Sequence, residues 1–171
     1  MEYPLIISTV IILFVIFYLY SNKRIYRYFK HKRELVLKEV VKYEHEIIKD
    51  VQILWLAGKG ISRKSRRFDG EVIFLRHSII LLLRLPRGKG DKKFPQPIIQ
   101  FNIDGQAEDL AGISAIERLD SLLTEESQLK LFFTKDTGLN RFETKVELEF
   151  GHQANQLMSV LEKFNYQSQL A

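Results

Sequence analysis

No cysteine occurs in the chain, which excludes a disulfide framework, a thiol nucleophile and a thiolate metal site. Proline is scarce, with four residues, and tryptophan is limited to one. No Gly-x-x-x-x-Gly-Lys-Ser/Thr frame is present: Gly58-Lys59-Gly60 and Gly88-Lys89-Gly90 both lack it. A Gly-x-Ser-x-Gly elbow that would present a serine nucleophile is also missing. The four histidines, His31, His45, His77 and His152, are scattered without metal-ligand spacing. Asp104, Glu108 and Asp109 are clustered in sequence, and Glu143, Glu147 and Glu149 share one face of an alternating segment. Both sets read as solvated acids. The chain therefore offers no catalytic residue, no metal site and no cofactor motif, and the expectation is that it is not an enzyme. A site assembled in space from distant residues is the one enzymatic alternative.

Negative charge is lacking where it would matter most. From Pro4 to Tyr20 the chain is apolar apart from Ser8 and Thr9, and between Ser21 and Arg33 it holds six cations and no acid: Lys23, Arg24, Arg27, Lys30, Lys32 and Arg33. Seventeen helical residues rise about 26 Å, close to the lower limit for a hydrocarbon core of about 30 Å. Tyr3, Tyr18 and Tyr20 stand where amphipathic rings favour the headgroup layer. A cleaved signal peptide would carry basic residues before the run and small residues after it, whereas this run follows Glu2 and leaves through Tyr18-Leu19-Tyr20-Ser21-Asn22. The expectation is a single-pass anchor in the inner membrane, with the amino terminus outside and the remaining chain cytoplasmic under the positive-inside rule.

Charge is segregated further along. Residues 34–58 sum to −2, 59–93 to +8 and 94–171 to −6, within a net charge of +5. The second basic block lies in two turn-like stretches. Lys59, Arg63, Lys64, Arg66 and Arg67 fall in the first, and Arg87, Lys89, Lys92 and Lys93 in the second. They read either as solvated loops or as a surface for phosphate-bearing partners, most simply headgroups. Nucleic acid is not expected, because the chain without its juxtamembrane flank sums to −1.

Periodicity divides the chain into 1–22 (anchor), 23–49 (basic juxtamembrane segment and stalk helix), 50–166 (one domain) and 167–171 (tail). Residues 25–48 lack Gly and Pro and carry Phe29, Val36, Val40, Tyr43 and Ile47 at a/d-like spacings. This stripe could pair two copies of the chain or dock on the chain's own domain. Strands are expected over 51–57, 68–75, 78–85 and 98–103, with a loop at 86–97 and a late hairpin over 129–134 and 142–150. Leu110, Ile113, Ile116, Leu119 and Leu123 recur at helical spacing among strand-like neighbours, leaving 106–123 open between helix and strand. Residues 153–164 carry Ala154, Leu157, Met158, Leu161 and Phe164 on one face, predicting an amphipathic helix.

An α+β chain whose antiparallel strands precede one terminal amphipathic helix, with Phe68-Asp69-Gly70-Glu71-Val72 opening the second strand, resembles the pleckstrin-homology-like superfold, including its GRAM-type and bacterial members. The resemblance covers 50–166. It implies a bent, partly open barrel with a helix plugging one end, and basic residues of the first and third inter-strand loops gripping phosphorylated headgroups. Those loops correspond to 58–67 and 86–97. The functional expectation is a membrane-anchored binding or scaffold module whose basic loops contact anionic headgroups or an acidic partner. The alternative is an accessory subunit, with protein partners in a larger membrane complex.

Overall fold

The structure, a computed structural model, describes residues 3–57, 64–86, 93–103, 108–136 and 141–166, with side chains at 10–57, 65–85, 96–103, 108–135 and 142–166. One helix, α1, runs from Tyr3 to Val40. Eight strands follow: β1 (His45–Ala57), β2 (Lys64–Leu75), β3 (Ser78–Pro86), β4 (Lys93–Asn102), β5 (Ala115–Arg118), β6 (Ser121–Glu125), β7 (Gln128–Asp136) and β8 (Arg141–Glu149). A 3-10 turn at Gly151–Gln153 leads into α2 (Ala154–Phe164). The strands form one curled, mixed sheet of order β5-β4-β3-β2-β1-β8-β7-β6. Every pairing is antiparallel except β4 with β5.

The sheet turns at β1. Asp50, at φ 56°, makes a bulge at which the register against β2 shifts between Ile48 and Val51. Beyond it, residues 52–57 pair with β2 on one side and β8 on the other. The two edges of the sheet meet through Leu119 and Asp120. The Leu119 amide donates to Asn102 of β4 and the Asp120 amide to Phe132 of β7, each at 2.8 Å.

Residues 72–75 of β2 and 79–83 of β3 read as unbroken apolar runs because both of their faces are covered. Val72, Phe74, Ile79, Leu81 and Leu83 point into the curl, where they meet β7, β8 and the buried face of α2. Ile73, Leu75, Ile80 and Leu82 point outward, against Val36 and Val40 of α1. In β8, Val146 and Leu148 face in while Lys145, Glu147 and Glu149 face out, as its alternation predicts. Tyr166, just beyond α2, lies buried and donates its hydroxyl to the Leu75 carbonyl.

Several expectations are corrected. The helix predicted to reach residue 48 ends at Val40, and 45–48 begin β1. Of the segment open to either helix or strand, residues 108–123 hold β5 and β6 and no helix: Leu110 packs under α1, Leu119 enters the interior, and Ile116 and Leu123 face solvent from β5 and β6. On α2, Val160 is buried and Met158 is exposed, so the predicted face is rotated. Strand β4 begins at Lys93, inside the expected loop. Pro95 and Pro97 are tolerated there because β5 pairs only with 99–102, leaving that part of β4 an edge.

The stalk is docked rather than free. Among the described residues, no helix is long and apolar enough to cross a membrane.

Candidate functional site: the open mouth and the docked helix

Three connections leave the sheet at one end. Ala57 of β1 pairs with Lys64 of β2 and Thr144 of β8, Pro86 pairs with Lys93, and Asp136 with Arg141. The ends of β1, β2, β3, β4, β7 and β8 therefore surround one mouth, and α2 packs into the interior cluster with residues of the other end, such as Phe74 and Ile79. A cavity of about 340 Å³ opens at the mouth. Trp55 and Ala57 of β1, Phe68 of β2, Leu83 of β3 and Ile99 of β4 form its apolar wall, with Arg66 beside them. Trp55 is held edge-on to Phe133 at 5.5 Å between ring centroids and tilted against Phe101 at 6.4 Å. On the same inward side of β8, Thr144 is 2 % exposed, and its hydroxyl has no hydrogen-bond partner among the described residues.

The expected basic residues divide. Lys59, Arg63, Arg87, Lys89 and Lys92 lie outside the described residues. Lys64 and Lys93 are placed at the mouth by their backbones. Arg66 and Arg67 are exposed and stand on opposite faces of β2, since neighbouring strand residues point to opposite sides. Arg66 lines the mouth. Arg67 lines an outer groove of about 460 Å³ with Gln52, Leu54, Asp69, Glu147 and Glu149, so it is separated from Arg66 and sits among acids. No ion pair involves Arg66 among the described residues. Among the described side chains that line the cavity, it is also the one ionisable group.

The cations expected beside a membrane divide as well. Lys23, Arg24, Arg27 and Lys30 are exposed on α1. Lys32 approaches the Ile113 carbonyl at 3.4 Å and lies over the Tyr28 ring. Arg33 is turned inward, its side chain 16 % exposed, and pairs with Glu71 of β2, which also receives Arg84 of β3. Burial holds the Arg33 guanidinium below its ordinary range. The Glu71 carboxylate opposes that shift and Arg84 adds to it. Two cations on one carboxylate thus clamp α1 to the convex side of the sheet. Val36 and Val40 of the a/d-like stripe are spent on this docking, and Tyr43 and Ile47 lie beyond the helix, so a pair of copies would need another surface of α1.

The clamp orients the helix relative to the mouth. Val40 lies near the Leu75 end of β2, because His45, five residues on, pairs with Leu75. Arg33 meets Glu71, four residues nearer the mouth. Followed toward its amino terminus, α1 runs the way β2 runs toward the mouth. From Glu71 to Lys64 the strand covers about 23 Å at ~3.3 Å per residue. A helix aligned with it covers that distance in about fifteen residues, reaching back to around Tyr18. The apolar part of α1 therefore leaves on the mouth side. Its residues 10–20 are between 48 and 69 % exposed on every side of the helix.

Sequence reasoning missed the apolar wall of the mouth and the Arg33–Glu71–Arg84 clamp. The lone tryptophan near a strand end, three residues before Gly58, was the available signal for the first. The second joins Arg33 to Glu71, 38 positions away, and leaves no local signature. No protein family, curated protein or solved structure matches the chain.

Proposed function

We propose that the chain is a membrane-anchored binding module. In this reading, the apolar start of α1 is embedded in the inner leaflet's side of a bilayer and the curled sheet, a pleckstrin-homology-like domain, is held in the cytoplasm with its mouth turned toward anionic headgroups. The observation that carries it is directional: α1 is clamped so that its exposed apolar residues 10–20 and the basic strand ends at Lys64, Arg66 and Lys93 leave the domain on one side. An all-round apolar helix has no stable place in water, and the cations Lys23, Arg24 and Arg27 follow it where the headgroups would lie. Each cation near an anionic surface contributes about 1 kcal/mol, so a handful suffices for a salt-sensitive contact.

The test is binding of fragment 30–171 to vesicles containing phosphatidylserine. This fragment keeps the docked part of α1, which covers the outer apolar cluster. Binding should weaken with added salt and fall on charge reversal at Lys59, Arg63, Lys64 and Arg66. Absence of binding by the unmodified fragment would remove the headgroup reading.

A second reading, an accessory subunit of a membrane complex, draws on Ile25 and Tyr28, which are large, exposed and lie beyond the apolar run. Purification of the full chain in mild detergent would then bring stoichiometric partners.

A further inference from the structure

We infer that the open mouth is a lipid-chain site: it takes one acyl chain of a membrane lipid between Trp55, Phe68, Leu83 and Ile99, with the lipid's anionic group at Arg66. This rests on the membrane reading above and names the ligand of the same face. Four observations carry it. The cavity of about 340 Å³ falls at the small end of ligand pockets, enough for part of a single chain and not for a folded partner. Its wall is apolar and contributed by four strands, so it is built by the fold rather than by one loop. Arg66 stands beside it without an ion pair among the described residues, whereas Arg33 and Arg84 each have a carboxylate. Finally, the mouth opens toward the side on which the exposed apolar helix leaves, where acyl chains would be at hand.

Electrostatics alone would not produce this arrangement. A headgroup-only site needs cations on a wet rim, and leaving the partly buried Trp55 and Ile99 against water beneath it would be unfavourable by about 25 cal/mol per Å² of apolar surface. Filling the wall with a chain removes that surface from water.

Trp55 is the chain's one tryptophan, so its emission reports this site alone. The full chain is reconstituted in nanodiscs whose phospholipids carry bromine on their acyl chains. Loss of most of the Trp55 emission is expected, with several-fold weaker quenching in Ala57→Phe, which fills the mouth, and in Arg66→Gln, which keeps its shape. A parallel arm adds brominated stearate to nanodiscs of unbrominated lipid. Quenching in that arm alone assigns the chain to a free fatty acid, and quenching by the phospholipid assigns it to the bilayer. Absence of quenching in both arms overturns the inference, as does quenching that Ala57→Phe and Arg66→Gln leave undiminished, which would mark simple proximity to the bilayer. Should either occur while fragment 30–171 still binds anionic vesicles, the acyl site fails and the headgroup reading stands.

Discussion

Gly112 approaches α1 so closely that a β-carbon on it would lie 2.5 Å from the Lys32 carbonyl oxygen and 3.0 Å from a methyl of Val36. Its φ of 97° is also one that side chains rarely adopt. The loop before β5 is thus shaped to the helix, and docking of α1 belongs to the fold rather than to chance contact. Gly112→Ala should cost about 1–3 kcal/mol through strain. The expected drop in Tm is ~2–4 °C per kcal/mol for a chain of this size. Thermal unfolding followed by circular dichroism checks it, and an unchanged Tm would show that the loop yields freely.

The clamp around Glu71 gives a sharper ranking. Glu71→Gln leaves two guanidinium groups facing each other on a largely covered surface, and should cost about 3 kcal/mol. Arg84→Gln keeps one full pair and should cost clearly less. The double variant Arg33→Met with Glu71→Met replaces charge by apolar packing and should recover much of the loss. Denaturant unfolding of the three variants decides this. An equal effect for Glu71→Gln and Arg84→Gln would show that the pairs are solvent-screened contacts of little weight.

Alkaline pH should reveal Tyr166. Burial pushes its hydroxyl well above the ordinary tyrosine range, and the nearby Glu108 carboxylate adds to this. The native state therefore keeps the proton after the unfolded chain has lost it near pH ~10. Stability from this group is fully present below that pH and lost above it, by up to about 1.4 kcal/mol per pH unit. The comparison of wild type with Tyr166→Phe isolates the contribution. Unfolding free energies measured between neutral pH and strong alkali should converge as pH rises, and parallel curves would contradict the assignment.

Replacing Leu13 and Ile16 by lysine tests the anchor directly. Each charge in the middle of a membrane span costs about 2.5–3.5 kcal/mol. The full chain should remain with membranes after alkaline carbonate washing, and the double variant should be released. Retention of both would shift the hold on the membrane to the domain or to a partner.

Much of the architecture was legible because it depends on short-range period. The alternation of Val146, Glu147, Leu148 and Glu149 marks a strand with one wet face, and the spacing of Leu157, Leu161 and Phe164 marks a helix with one buried stripe. Where two faces are covered, as at Ile79 to Leu83, the pattern signals burial without saying what covers the second face. Segment 106–123 was open between helix and strand for the same reason. Leu110, Ile113, Ile116, Leu119 and Leu123 have helical spacing by coincidence, since they serve the α1 contact, the interior and solvent in turn. At the candidate site, the cations could be read as a group, but only the pleat shows that Arg66 and Arg67 look opposite ways.

The amino-acid order by itself determined the apolar first helix, its basic flank, most strands and the closing helix, since these follow from neighbours within a turn or two. Tertiary structure decided that α1 folds back on the sheet, that β5 runs parallel to β4, and that the mouth opens beside the departing helix. Those outcomes rest on contacts such as Lys32 with Ile113, 81 residues apart, whose energy exists only once the chain has closed the loop between them.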